Sequence, residues 1–564
     1  MSPVTLLRNA LRGLIPLAVA CTFYLYLYPV FLGCAFPLPQ TEDNLSAFQD
    51  TVRQHVLPHS SNAAPFRLLA LGDPQLEGDT SIRNYNRESF PHLTWAIRHL
   101  TYKTEHPSLR KRLRQVTHDV VDIFFDDIPD TLESIRKRID LFGNDFFLAH
   151  IYRTLRWWTK PTHVTVLGDL LGSQWIKENE FNRRSWRFWN RSFKGGERVP
   201  DEVATYPAEE YDLAGLLGVE DENAAAWRRR IINVAGNHDI GYAGDLTVER
   251  LERFERAFGK ATYELRFELP ITNPAANATI YDEENNPGSN RLVPELRILN
   301  VNNMNLDTPA ADQGLQDKTY AFVNDVINTA TAVEYQGHFT IVLTHIPLYK
   351  PEGVCVDGPF FDFHAGGGVK EQNHLSADAS RGFLEGIFGL NGDPTAPGHG
   401  AGRKGVVLNG HDHEGCDTYH YINQTEEGGE RQWRVTRWPA AKEDELPGKP
   451  GIPGLREITV RSMMAMYGGY AGLLSVWFDE EAWEWKFEFA NCALGRQYFW
   501  WFVHVLDLIV LVAIVVYGTL KVIIAAGFDV DKWPAAKAKV APVTANGNGV
   551  NKPASVSNGE AKKE

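Results

Sequence analysis

Five short runs of Val, Ile, Leu and Ala recur along this chain, each bounded by Gly or Pro and each closing on a polar side chain. They are LLALGDPQ with Asp73, VTVLGDLLG with Asp169, INVAGNHD with Asn237 and His238, TIVLTHIP with His345, and VVLNGHDH with His411 and His413. Runs that are apolar at consecutive positions predict strands buried on both faces. In α/β sheets ligands gather just beyond the carboxyl ends of such strands, so the five blocks are expected to converge in space. An insertion over about 80–161 separates the first two blocks. Within it, Thr131 to Trp158 carries Leu132, Ile135, Ile139, Phe142, Phe146, Phe147, Ile151 and Leu155 close to helical spacing, which predicts a helix packed on the sheet. Arg183 to Phe193, with Trp186 and Trp189, reads either as a surface helix or as the wall of a lipid or glycan cleft.

The ends of the chain have a different pattern. Leu14 to Phe36 contains no charged residue and reads as a membrane-spanning signal anchor, with cleavage at Gly33-Cys34-Ala35 as the minority reading. A second span, about Phe499 to Leu520, opens on Trp500 and Trp501. Arg8 and Arg12 before the first span and Lys521 and Lys532 after the second predict cytosolic termini. The expected division is a cytosolic N-terminus over 1–13, a transmembrane helix over 14–36, a lumenal domain over 37–497, a transmembrane helix over 498–526 and a disordered cytosolic tail over 527–564. Four N-x-S/T triplets, at Asn44, Asn190, Asn277 and Asn423, fall in the lumenal stretch. His504 and Asp507, in the outer part of the second span, read as hydrogen-bonding residues at an interface or between helices.

Composition adds two constraints. At 564 residues with 43% hydrophobic and 23% charged, the chain can bury a large core, and its net charge of −14 argues against a nucleic-acid partner. Five cysteines are few for a lumenal protein. Cys21, Cys34 and Cys492 lie in or near the spans, whereas Cys355 follows the His345 loop and Cys416 follows the GHDH loop. If both loops reach one metal centre, these two thiols lie close enough to bridge, so a disulfide and a pair of buried free thiols are equally open.

Carboxylate, amide and imidazole side chains together suit Mn²⁺, Fe²⁺ or Zn²⁺, and two such ions can clamp both oxygens of a phosphoryl transfer. Any one block alone would be an ordinary turn or strand end. In order and spacing the five resemble the calcineurin-like metallophosphoesterase superfamily, whose blocks are D-x-H, G-D, G-N-H-D/E, a lone His and G-H-x-H. The chain departs from it at Gln75, where the family has His. The resemblance implies an α/β fold, an αββα sandwich, and two-metal phosphodiester hydrolysis. It further implies that Asp169 bridges the metals, that Asp73 and His413 serve one and Asn237, His345 and His411 the other, that His238 protonates the leaving oxygen, and that Asp239 orients His238. Gln75 either coordinates or hydrogen-bonds a water on the metal, and an uncharged amide there favours Mn²⁺ over Zn²⁺.

GDPQ in the first block, HIPLY after the fourth, and RSMMAMYGGYAGLL over Arg461 to Leu474 are similar to the endoplasmic-reticulum GPI-anchor phosphodiesterases of the fungal Ted and Cdc type. GDPQLEGD places the likeness closer to Ted. That resemblance implies removal of an ethanolamine-phosphate branch from a mannose, the second, of GPI anchors. The implied partners are the GPI glycolipid, GPI-anchored proteins, the endoplasmic-reticulum membrane and the cargo-export machinery. Glu77 and Asp79 read as solvated loop carboxylates, or as contacts for the ethanolamine ammonium. Two rivals stay open: a membrane-bound phosphoesterase for another lipid head group or a nucleotide, and a non-catalytic cargo-binding module. Gln75 motivates the second; an intact His238 opposes it.

Overall fold

The computed structural model describes residues 2–39, 44–57, 62–82, 85, 88–101, 103, 108–208, 213–271, 293–355, 360–424, 432–528 and 530. They separate into two units, one within Ala20–His504 and a second made of 2–19 with 505–528 and 530. The first unit is mixed α/β and contains two large sheets. The six-stranded sheet runs Glu484–Ala493, Tyr470–Asp479, Phe66–Leu71, His163–Val166, Arg230–Asn233, Glu197–Arg198. Its strands Phe66–Leu71, His163–Val166 and Arg230–Asn233 are mutually parallel, and Tyr470–Asp479 pairs antiparallel. The eight-stranded sheet runs Trp433–Arg437, Cys416–Ile422, Gly454–Thr459, Gly405–Asn409, His338–Leu343, Glu295–Asn300, Tyr263–Glu268, Gly215–Leu216. Its middle four strands, from Gly454–Thr459 to Glu295–Asn300, are parallel.

Alternation along each strand accounts for the unbroken apolar runs. Phe66, Leu68, Ala70, Ile232 and Val234 of one sheet share a buried cluster with Leu265, Phe267, Ile298, Ile341 and Leu408 of the other. The intervening residues Leu69, Leu71, Val164 and Val166 join Phe147, Leu148, Ile151 and Leu155 of the helix Ile128–Thr159. Leu299, Val342 and Val407 belong to the same cluster, with Phe322 and Val326 of the helix Gln313–Asn328. A strand covered on both faces is mostly apolar, and a polar residue in it needs a partner, as Thr165 has in the Ile232 carbonyl.

The helix Ile128–Thr159 differs from the expectation. Only its second half packs on the sheet; Leu132, Ile135, Ile139 and Phe142 are exposed, Leu132 by 61% and Phe142 by 52%. Its 32 residues extend about 48 Å, far beyond strands of four to six residues. The segment after Asp169 forms the helix Glu178–Arg187, and its buried Arg184 bonds Glu180, the Leu76 carbonyl and Thr80, clamping the first block's loop. Glu77 and Asp79 are engaged by Lys137 at 2.8 Å and Arg183 at 2.7 Å, which makes them poor receptors for a substrate ammonium.

Among the described residues, two helices, Pro3–Tyr26 and Gln497–Ala525, are long and apolar enough to cross a membrane. The first corrects the expected span of 14–36: it ends at Tyr26, and Cys34, Ala35 and Phe36 are buried in the folded domain. There the Trp158 indole N–H donates to the Cys34 carbonyl at 2.7 Å, and Cys34 is bridged to Cys492. Apolar residues bound for a membrane and for a core look alike in sequence, which is why the boundary falls elsewhere. His504 donates from Nδ1 to the Trp500 carbonyl at 2.8 Å and accepts from the Tyr26 hydroxyl at 3.4 Å, a bond between the two helices' domain-side ends. Asn44 and Asn190 are exposed and Asn423 is half-buried; Asn277 and the tail over 531–564 lie outside the described residues.

The Cys34–Cys492 bridge joins positions 458 residues apart, so opening it releases nearly the whole chain. Cys492→Ser is expected to lower stability by about 4–5 kcal/mol, the upper end for a long closed loop. The check is thermal unfolding of the full chain in detergent, and an unchanged midpoint would refute the contribution.

Candidate metal centre

Five of the parallel strands deliver candidate ligands a few residues past their carboxyl ends: Asp73 after Phe66–Leu71, Asp169 after His163–Val166, Asn237 after Arg230–Asn233, His345 after His338–Leu343, and His411 and His413 after Gly405–Asn409. Two groups result. Ligand atoms of Asp169, His345 and His411 lie within 4.8 Å of one another, as do those of Asp73, Asp169 and His413. Asp169 belongs to both. Asp169, His411 and His413 line a cavity of about 460 Å³ that also reaches Gln75, Asn237 and His238.

Backbone chemistry fixes how each imidazole presents itself. His345 Nδ1 lies 2.8 Å from the Leu167 carbonyl and His411 Nε2 lies 2.8 Å from the Gln372 carbonyl, so both nitrogens must donate. In the neutral rings that leaves His345 Nε2 and His411 Nδ1 with free lone pairs, 2.9 and 3.1 Å from Asn237 Oδ1. Lone pairs converging in this way, with hydrogen bonds behind them, are how imidazole ligands are set around a metal. Asp73 Oδ2 is buried with no hydrogen-bond partner, a carboxylate oxygen that a cation would satisfy. The donor set therefore fits two divalent ions.

Electrostatics agree. Burial and then Asp169 push Asp73 up to about 8, although His345 pulls the other way. Burial also opposes charge on His345, but Asp169 and Asp73 outweigh it and raise the imidazole to about 9. Burial would raise Asp169 as well, yet His345 and His238 hold it below the ordinary carboxylate range. Charged groups so crowded and so dry need a compensating cation or a shared proton.

The loops are strained where the ligands sit. Asp73, Gln75, Asp169 and His411 have φ of 45°, 40°, 48° and 71°, left-handed values that cost non-glycine residues of order 1–3 kcal/mol each. The glycines before the ligands are demanded by close approach. A Cβ on Gly236 would enter the backbone and carboxylate of Asp169, and one on Gly410 would stand 2.5 Å from the Leu167 carbonyl. Gly236→Ala is accordingly expected to weaken metal binding by tenfold or more with the fold intact, measured by calorimetric titration of Mn²⁺ into the chelator-stripped protein. Wild-type affinity in that variant would show the approach to be unimportant.

Gln75 lies inside the second group, its amide 3.0 Å from Asp169 Oδ2 and 3.2 Å from His413 Nε2. As placed, the amide nitrogen faces both and donates to the Asp169 carboxylate. His238 is held by its backbone N–H on Asp169 Oδ1 at 2.8 Å, while its ring is partly exposed to the cavity with Nε2 3.8 Å from Asp169 Oδ2. Asp239 does not orient His238. It is buried, and its carboxylate accepts the backbone N–H groups of Leu170, Leu171 and Gly236 at 3.1, 2.9 and 3.0 Å. It ties the Asp169 loop to the Asn237 turn, because the N–H groups at the start of a helical turn need an acceptor.

Cys355 and Cys416 are joined by a disulfide, and Cys355 lines the cavity. Sequence reasoning missed the residues that hold the ligand loops. Asn303 accepts from the His345 and Ile346 N–H groups at 3.4 and 3.1 Å and donates to the Ile346 carbonyl at 2.6 Å. Glu457 accepts from the Leu348 N–H and from Asn409 Nδ2, both at 2.7 Å. The polar cluster NVNNMN after an apolar run, and a lone Glu inside GLREITV, were the available signals.

A mixed α/β domain whose strand ends gather two ligand groups around one shared carboxylate is, as a class, a candidate dinuclear metalloprotein. No family model matches the chain. Over 412 residues it is 32% identical to Protein TED1 of Saccharomyces cerevisiae, covering 65% of this chain and 76% of that protein. Over 290 residues it is 29% identical to Uncharacterized protein C23A1.02c of Schizosaccharomyces pombe, covering 50% of this chain and 57% of that one. The chain belongs to the family of Protein TED1.

Proposed function

We propose that this chain is a metal-dependent phosphodiesterase with the metallophosphoesterase αββα sandwich, and that it removes an ethanolamine-phosphate branch from a mannose, the second, of GPI anchors. The observation that carries the hydrolytic reading is the membership of Asp169 in both ligand groups. Asp73 and His413 would hold one ion and Asn237, His345 and His411 the other, with Asp169 between; Mn²⁺ is the proposed metal, Zn²⁺ and Fe²⁺ being its competitors. When bound, the ions supply Lewis acidity toward phosphoryl oxygens and an activated nucleophile at neutral pH.

The chain's own residues do the rest. His238, anchored by its backbone to Asp169 and open to the cavity, gives a proton to the departing sugar oxygen. Gln75 donates to Asp169 and holds the carboxylate in place. Lys350 and His374, both buried, form part of the cavity wall and limit the water that enters. We place the domain in the endoplasmic-reticulum lumen with both termini cytosolic, serving export of GPI-anchored proteins. Two apolar helices near the chain ends and two disulfides support this, since disulfides persist in oxidising compartments. The test is incubation of the purified full chain and Mn²⁺ with GPI glycolipid carrying ethanolamine phosphate, with glycans read by mass spectrometry. Loss of one ethanolamine phosphate from the second mannose is expected. An unchanged glycan mass beside a fully metallated protein would favour a cargo-binding role.

A further inference from the structure

A groove of about 580 Å³ lies among the domain-side ends of the two apolar helices and the helix Ile128–Thr159, in the size range of ligand sites, roughly 300–1,000 Å³. Tyr26 comes from the first apolar helix, Trp500 and His504 from the second, and Phe142, Phe146 and Trp157 from the third. Within it, burial, then His504, pushes His150 down to about 4, so that imidazole is neutral at pH 7. The one permanently charged lining residue is Arg153, which is exposed. Beside it the Arg191 guanidinium stands 5.8 Å from the ring centre of Phe142 and 5.9 Å from that of Phe146.

The apolar character does not stop at the groove. Ile139, Ile135 and Leu132 carry the exposed stripe of Phe142 toward the start of the same helix, and Phe124 and Phe125 extend it. Arg136 and Arg138 are exposed on the same turns. Soluble surfaces rarely leave so continuous a patch uncovered, and an apolar stripe that continues from the domain-side ends of two apolar helices is placed to rest in a membrane interface. Tyr and Trp at the ends of apolar helices mark the membrane–water boundary, so the groove opens at the depth where acyl chains begin.

We propose that this groove takes an acyl chain of a bilayer phospholipid, with Arg153 and Arg191 meeting the phosphate and the stripe Leu132–Phe142 resting in the same leaflet. The proposal rests on the reading that the two apolar helices cross a membrane, and is independent of what the metal centre hydrolyses.

The test reconstitutes the full chain in phosphatidylcholine vesicles, exchanges it into detergent, and counts retained phosphatidylcholine by native mass spectrometry. One lipid per chain is expected, falling at least tenfold in Ala149→Trp, which fills the groove from a buried lining position. Equal retention by the variant, or none by the wild type, overturns the proposal. Should Ala149→Trp not fold, a phosphatidylcholine with a diazirine on its acyl chain decides on the wild type in detergent after exchange. Labels in Phe142–Trp157 at tenfold over the helix Val248–Phe258 are expected, and even labelling refutes the groove. Carbonate extraction of the vesicles reports membrane crossing separately, so failure of that premise is distinguishable from an empty groove.

Discussion

Asp169→Asn is expected to abolish phosphodiester hydrolysis and to strip metal from both positions, whereas His238→Ala keeps its metal and loses turnover about 10²–10⁴-fold. The difference follows from where the two side chains stand. Asp169 is buried, belongs to both ligand groups and anchors the His238 backbone, so replacing one carboxylate oxygen by an amide removes charge from both groups at once. Altering partners that only support a ligand typically costs 10–100-fold in metal affinity, and loss of the shared ligand is expected to exceed that. The His238 ring, by contrast, is partly exposed and lies 3.8 Å from the nearest Asp169 oxygen, near the site without being one of the clustered ligands. Elemental analysis of both purified variants, beside hydrolysis of a substrate with a poor alkoxide leaving group, separates the roles. Full activity in Asp169→Asn would refute the shared site, and a collapse of metal content in His238→Ala would move His238 among the ligands.

Glu457→Gln is expected to cost about 3–5 kcal/mol, although the residue touches no candidate ligand side chain. Its carboxylate is fully buried in the strand Gly454–Thr459, with Lys350 Nζ at 3.0 Å and His420 Nε2 at 2.8 Å, and it accepts the Leu348 N–H three residues past His345. An amide of the same shape leaves Lys350 buried beside a neutral group, and an unpaired buried charge is what makes breaking such a pair expensive. Burial would raise the Glu457 carboxyl, but Lys350 and His420 outweigh it and hold it low. A depressed folded value stabilises fully above the unfolded range near about 4.3 and is lost as pH falls below it. Denaturant unfolding of wild type and variant at pH 7 reads the difference, and the gap should narrow as the pH is lowered toward 3. A variant as stable as wild type at pH 7 would show the pair to be neutral.

The candidate site was legible because its chemistry is carried by short contiguous motifs. A strand buried on both faces is mostly an apolar run, and a ligand at its end has to follow within a few residues, so Asp73, Asp169, Asn237, His345, His411 and His413 stand out in one dimension. Their glycines stand out for a related reason: Gly236 and Gly410 sit where a side chain would collide with a neighbouring block. The apolar helices near the two ends are legible from length and composition alone.

Other features depended on residues far apart in the chain. Asp239 sits beside His238 in sequence, yet its carboxylate faces the backbone of Leu170 and Leu171, which only the packing of two loops decides. Cys34 pairs with Cys492 across 458 residues, and no local signal links them. Residues 27–36 are as apolar as a membrane span, but Cys34, Ala35 and Phe36 are buried in the domain, because hydrophobicity specifies escape from water without specifying into what. The stripe Leu132, Ile135, Ile139 and Phe142 has the spacing of a core-facing helix and is exposed, because a helix of 32 residues outruns the sheet beneath it. Motif order and hydrophobic period are properties of neighbours along the chain and survive in the sequence; partner choice for a buried charge, a thiol or an apolar face is set by distances that exist only once the two sheets have closed on each other.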